Sequence, residues 1–524
     1  MTHPIPAGTN RATIPLAIVG LSVLYVAAVA LGWPQLGTQR VVEAQAHHAA
    51  ADHETPESDD SHAPTAAAAP PFWTVLPFVL LLLAIALLPL IPATSHWWEH
   101  NRNKLMVAGG LGLFTLAYYS LLHHTPLDAH WPAHHVVEPA AGALQPGFVR
   151  TILSNAILKE FLPFIILLFS LYTISGGIRI TGDLRADPLT NASFIAVGAV
   201  LSNLIGTTGA AMLLVRPLLE TNKERKHVAH TVVMFIFIVC NCGGCLTPIG
   251  DPPLFLGYLE GVPFVWTFQL WKEWLFVNGL LIVIYVLLDE FVFYRREATR
   301  DIVRDVEHTT RLRIGGWKLN APLLFGVVLA VALLDPSKPF PGTDWHPWMY
   351  LREVVQLGLV AISLWWGSQT VREQNQFNYS AIVEVAALFI GIFICMQPAL
   401  QILSVYGNSL GLRDAPHFFW ATGSLSGVLD NAPTYLAFFK AAQAMPAEPG
   451  IPLVAGVQEP ILAAISLGAV FMGAMTYIGN GPNFMVRSIA ENSGVKMPSF
   501  FGYMAYSVSI LLPLLAVMVW LYFM

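Results

Sequence analysis

Apolar runs, most of them long enough to cross a bilayer, recur along almost the whole chain, and this constrains the fold more than any other feature. They occupy residues 14–31, 72–90, 105–122, 152–174, 228–259, 274–293, 319–334, 354–366, 382–405, 461–489 and 500–523. A hydrocarbon core takes about 20 helical residues, and only segments that satisfy their own backbone polar groups persist there. Composition agrees. Of 524 residues, 55% are apolar and 11% charged, against about 25% charged in soluble domains. The expected class is an all-α polytopic membrane protein of about 10–11 transmembrane helices, with the lipid bilayer as its surroundings. The net charge of −6 and the scattered Lys and Arg residues form no basic domain, which excludes nucleic acid as a partner.

Two further apolar stretches, 188–219 and 418–441, carry helix breakers in their middles. Arg102 and Lys104, Arg179 and Arg185, then Lys223, Arg225 and Lys226, and the Arg-rich loop 295–320 all fall on the cytoplasmic side if 188–219 enters and leaves there. By the same count 418–441 dips from outside. Both are re-entrant hairpin candidates. The N-terminal segment 1–40 reads as a signal peptide or a first transmembrane helix, with Ala44 to Ala46 a distant cleavage site. Residues 41–71, with His47, His48, His53 and His62, read as a disordered extracytoplasmic linker. Residues 72–150 then supply two peripheral helices and an outer loop, 151–294 a first structural repeat, and 321–524 a second.

The repeat rests on three blocks in the same order. "KEFLPFIILLF" from Lys159 lies over "VEVAALFIGIF" from Val383, pairing Glu160 with Glu384; both acids are expected to anchor span ends at the interface. At the same offset "LSNLIGTTGA" (201–210) lies over "LSGVLDNAPT" (425–434), and after a short insertion "TPIGDPP" (247–253) lies over "TYIGNGP" (476–482). The charge count runs the two halves in opposite directions, so they are inverted repeats, each with a hairpin and a discontinuous helix (228–259 and 461–489). Paired breaks in inverted repeats mark secondary transporters, whose site lies near the midplane.

A broken helix frees carbonyls and amides that an intact ladder would consume. The first hairpin tip brings Ser202, Asn203, Gly206, Thr207 and Thr208, and the break facing it brings Asn241, Thr247, Gly250 and Asp251. In the second half Asp430 and Asn431 stand at the tip opposite Thr476, Gly479 and Asn480. Neutral oxygens with one carboxylate suit a small hard cation. Charge in a bilayer costs at least about 2.5 kcal/mol, so Asp251 and Asp430 are functional candidates, with helix N-capping as the alternative. Cys240, Cys242 and Cys245 share one apolar run and Cys395 lies in another, which reads as close helix packing rather than disulfides or a metal site.

At "NCGGCLTPIGD" (241–251) and "LDNAP" (429–433) the chain resembles the ion transporter superfamily, most closely the NhaD-type sodium/proton antiporters. The resemblance covers residues from about 152 to the C-terminus. It implies a homodimer with elevator-like transport across an inner membrane, and sodium or proton binding at Asp251, Asp430 and Asn431. "GDPPLFLGYLEGVPF" (250–264) departs from that pattern and is similar to a citrate-transporter branch, and "IGNGPNFMV" (478–486) resembles the Pro-Asn loops of carboxylate carriers. The expected function is sodium/proton antiport at midplane carboxylates; the alternative is sodium-coupled transport of citrate or a related di- or tricarboxylate. The absence of Arg or Lys at the midplane motifs disfavours the alternative. A passive channel suits two closed sites less well. A membrane-embedded enzyme would need a metal at His123, His124, His134 or His135, but these lie outside the repeat with no acids at ligand spacing. No cofactor is expected beyond sodium and protons as transported or coupling ions.

Overall fold

A computed structural model describes residues 13–51 and 69–524, and these are almost wholly helical. Among them, six helices are long and apolar enough to cross a membrane, or eight if two sharply bent pairs each count as one span. The other apolar runs form shorter helices: 228–259 and 461–489 are divided at their breaks, as expected, while Trp317–Leu333 and Leu351–Trp366 are unbroken but only 17 and 16 residues long. The chain is an all-α polytopic membrane protein.

Helix Thr13–Ala30 buries only Pro15 and Ile18 and shows Leu16, Val23 and Leu24 outward, the pattern of a peripheral, lipid-facing helix. The next helix runs Trp33–Ala51, so the segment expected to be disordered from residue 41 is helical as far as Ala51. It is tied down by Thr38, whose hydroxyl donates to Pro347 O at 3.1 Å and accepts from the Met349 N–H at 2.9 Å. Residues 1–12 of the expected signal segment, and His53 and His62, lie outside the described residues. Helices Leu76–Leu87 and Asn101–Leu121 follow, then a span built from Pro146–Leu153, a π turn at Ser154–Phe161 and Leu162–Ser175.

The stretch Pro188–Thr221 has helical geometry except at Gly206 (φ 76°, ψ 154°), where the chain turns back. Asn191 and Asn222 exchange side-chain hydrogen bonds of 2.9 and 2.7 Å; in a straight helix they would stand about 45 Å apart. That backbone conformation is open essentially to glycine alone. The first discontinuous helix consists of Ala229–Val239 and Pro252–Leu259, joined by a tight turn at Cys242–Cys245. Residues 232–239 are buried all round, as expected of a helix apolar on every face that sits inside a protein. In the second half the hairpin is Ala415–Ser426 and Asn431–Gln443, and the discontinuous helix is Glu459–Met472 and Gly481–Asn492.

The basic loop is structured. It contains helix Thr299–Glu307 and strand Thr310–Gly315, which pairs antiparallel with Arg179–Asp183 just before the first hairpin. Several residues that read as markers of sidedness are internal partners instead. Lys104 is buried against Glu384 at 2.6 Å, Arg225 pairs with Asp289, and Arg372 donates to Thr173 O at 2.6 Å. Glu160 corrects an expectation: it is 4% exposed, with Gln397 Nε2 3.5 Å away, rather than at an interface. The π turn that carries it widens the helix and rotates the side chain inward.

Candidate functional site

Pro252 and Pro253 fix the start of the helix that follows the first break and remove backbone donors there. Asp251 immediately precedes them as the N-cap residue, yet its side chain caps nothing in its own helix. It is 1% exposed and its oxygens are taken up by the other three breaks. Oδ1 accepts from Thr207 Oγ1 at 2.9 Å and from Asn480 Nδ2 at 3.1 Å, while Oδ2 accepts from Asn431 Nδ2 at 2.6 Å. Thr207 and Asn431 are equivalent positions of the two hairpin tips, and Asp251 and Asn480 equivalent positions of the two breaks. One carboxylate therefore ties together all four interruptions.

The surrounding contacts repeat with the same correspondence. Thr247 Oγ1 donates to Asn203 O at 2.6 Å, and Thr476 Oγ1 donates to Gly427 O at 2.7 Å. A Cβ on Gly250 would stand 2.3 Å from Gly244 O, and one on Gly479 would stand 2.6 Å from Gly473 O. Backbone meets backbone at both breaks, so only glycine fits. Asn203 donates to Gly243 O at 2.7 Å and accepts from the Leu246 N–H at 2.8 Å, stitching the first tip to its facing break. The Thr207 N–H donates to Gly250 O at 2.8 Å. Asn480 Nδ2 also reaches Cys240 O at 2.9 Å and Asn241 Oδ1 at 3.2 Å.

Other residues singled out in the sequence take different places. Ser202 is buried, but its hydroxyl returns to Ala199 O in its own helix at 2.8 Å. Thr208 is half-buried and lines a cavity of about 70 Å³ beside Asp251, with Leu171, Tyr172, Gly206, Ile249 and Phe255. Asp430 is half-buried and accepts from the Ala432 N–H at 3.3 Å, the capping contact of its own helix rather than a contact with Asp251. Sequence reading missed Asn483, fully buried, which accepts from Asn241 Nδ2 at 2.8 Å and donates to Gly473 O and Thr476 O at 2.9 and 3.0 Å. Its signal was the polar Asn one residue past Pro482. One acceptor at this site remains open: Asn431 Oδ1 is buried and receives no hydrogen bond from the described residues.

Over residues 67–523 the chain matches the family described as "Putative citrate transport". The chain belongs to this family. No curated protein matches it. Membership in the citrate transport family together with the helical, apolar architecture makes it a multi-pass membrane transporter, and the citrate-transporter resemblance at 250–264 agrees with the family. A family of transporters implies a protein that is not an enzyme. Among its loop histidines, His123 is wedged against Tyr119 and Phe148, its nitrogens 3.2 Å from Tyr118 OH and Thr125 Oγ1.

Proposed function

We propose that this transporter works as a secondary active carrier of the inner membrane in which sodium and a proton compete for Asp251. The supporting observation is the convergence of Thr207, Asn431 and Asn480 on that one carboxylate. These donors are neutral, so among the described residues the buried charge has hydrogen bonds but no counter-ion, and a cation or a proton completes it. A small cation beside Asp251 would find the open acceptor Asn431 Oδ1, and carbonyl and hydroxyl oxygens of the breaks as further hard ligands. Proton and cation cannot occupy the same oxygens together. Alternating exposure of such a site to the two sides exchanges one for the other. The inverted-repeat reading is supported by the paired Thr247 and Thr476 contacts and the paired glycine contacts, and under it the four breaks lie at the midplane.

Sodium-coupled transport of citrate is the second reading, favoured by the family. In it Asp251 belongs to the coupling cation, and the carboxylate cargo takes a neighbouring position lined by backbone amides. Purified protein in proteoliposomes separates the two. Antiport predicts sodium-driven proton movement without citrate, abolished in Asp251→Asn. Citrate symport predicts sodium-dependent citrate uptake, with no proton movement when citrate is withheld. Wild-type rates of ion exchange and citrate uptake in Asp251→Asn would refute both.

A further inference from the structure

On the arginine- and lysine-rich face, outside the spans, three carboxylates from separate elements converge. Asp183 ends the strand Arg179–Asp183, Glu224 follows the first hairpin, and Asp305 lies on helix Thr299–Glu307. Each offers an oxygen within 4.8 Å of the other two. Asp183 and Asp305 are 5% and 4% exposed, and the Glu224 side chain 8%. Burying three like charges together is costly unless something positive completes the group.

The protein supplies only part of that charge. Lys223 Nζ lies 2.8 Å from Asp183 Oδ2 and 4.0 Å from Glu224 Oε1, but it is also drawn outward to Glu220 at 2.9 Å. His308 Nδ1 is 3.6 Å from Glu224 Oε1. The Ala186 N–H donates to Asp305 Oδ2 at 3.0 Å. Asp183 Oδ1, Glu224 Oε2 and Asp305 Oδ1 are left buried with no hydrogen-bond donor among the described residues. Open buried carboxylate oxygens on all three members point to a ligand.

We propose that Asp183, Glu224 and Asp305 form a binding site for a hard divalent cation of calcium's size, which ties both ends of the first hairpin to helix Thr299–Glu307. Three oxygens gathered within 4.8 Å of one another can be bridged by one hard cation, and calcium's flexible oxygen shell accepts an irregular set that magnesium's near-ideal octahedron does not. The anchoring is firm. Arg225, next to Glu224, is buried against Asp289 and Glu297, and Glu297 accepts from the backbone N–H groups of Lys226 and His227 at 3.1 and 2.8 Å. The strand pairing of Asp183 with Thr310 fixes the third side. The site shares no residue with the contacts of Asp251 and does not depend on what the transporter carries.

The test uses the full chain in detergent, stripped with chelator, then titrated with calcium, magnesium or manganese chloride by calorimetry and thermal unfolding, with sodium chloride at matched ionic strength as control. Saturable calcium binding is expected, with a rise in melting temperature of about 2–4 °C near saturation. Asp305→Asn and, separately, Glu224→Gln should weaken calcium at least about tenfold, each lost ligand being worth about 1.4 kcal/mol. Each should also melt higher than wild type when cation is absent, because repulsion is relieved. Absence of saturable divalent binding up to about 10 mM, beyond the range of weak calcium sites, would overturn the proposal. So would calcium binding that both variants leave unchanged.

Discussion

At Asp251 a single carboxylate engages both oxygens with partners more than forty residues distant in sequence, Thr207 at 2.9 Å and Asn431 at 2.6 Å among them. Thr207→Val keeps the shape and removes one donor. It should lower stability by about 1–3 kcal/mol, the cost of leaving a buried acceptor short, read as a lower melting temperature in detergent. Asn480→Asp should be worse, because it sets a second buried carboxylate against the first. Outside the spans, burial pushes His123 from 6.5 down to about 4. The folded state then binds fewer protons than the unfolded one, so stability is full above about pH 6.5 and declines as pH falls toward 4. His123→Gln should flatten that decline in melting temperature while leaving the neutral-pH value little changed.

Among the elements, the two discontinuous helices behave as one design used twice. Gly250 and Gly479 each sit where a methyl group would meet a carbonyl oxygen, at 2.3 and 2.6 Å. Gly250→Ala and Gly479→Ala should therefore both destabilise the protein, by about 1–3 kcal/mol, and both should cut transport in vesicles; a neutral result at either position would separate the two breaks. The breaks were legible from sequence because lipid tolerates Pro, Gly and Asp inside an apolar run only where protein or a watery cavity receives the freed polar groups. The exact ends of the half-helices were less legible, since apolar residues continue past Val239 into the turn and hydropathy cannot see that Ala229–Val239 stops long before Pro252. The strand pairing of Arg179–Asp183 with Thr310–Gly315 was missed as well, because short polar strands carry no periodicity to read.

For the molecule as a whole, a buried ion cluster joins parts far apart in the chain. Lys159 Nζ stands 2.7 Å from Glu260 Oε1, and Lys440 Nζ 2.5 Å from Glu260 Oε2. The cluster links the span before the first hairpin, the end of the first discontinuous helix and the returning helix of the second hairpin. Glu260→Gln would leave two ammonium groups without their carboxylate and should cost about 3–5 kcal/mol, measured as a large loss of thermal stability. Any transport step that slides the first span past the discontinuous helix must break the Lys159 contact. Lys159→Met should therefore alter transport rate more than binding affinity for the cation.

The sequence by itself determined that this chain lives in a bilayer, that its apolar runs are interrupted at four places, and that Asp251 and Asp430 are the acids to watch. Local composition suffices for that, because lipid penalises every breaker and every charge that lacks a purpose. Only the tertiary structure decided which breaks meet. Whether Asp251 or Asp430 gathers the opposing side chains, whether Glu160 faces lipid or protein, and whether Arg225 marks a face or fills a buried pair all depend on partners scores of residues away. Such contacts are set by how the helices pack, and no window along the chain contains them.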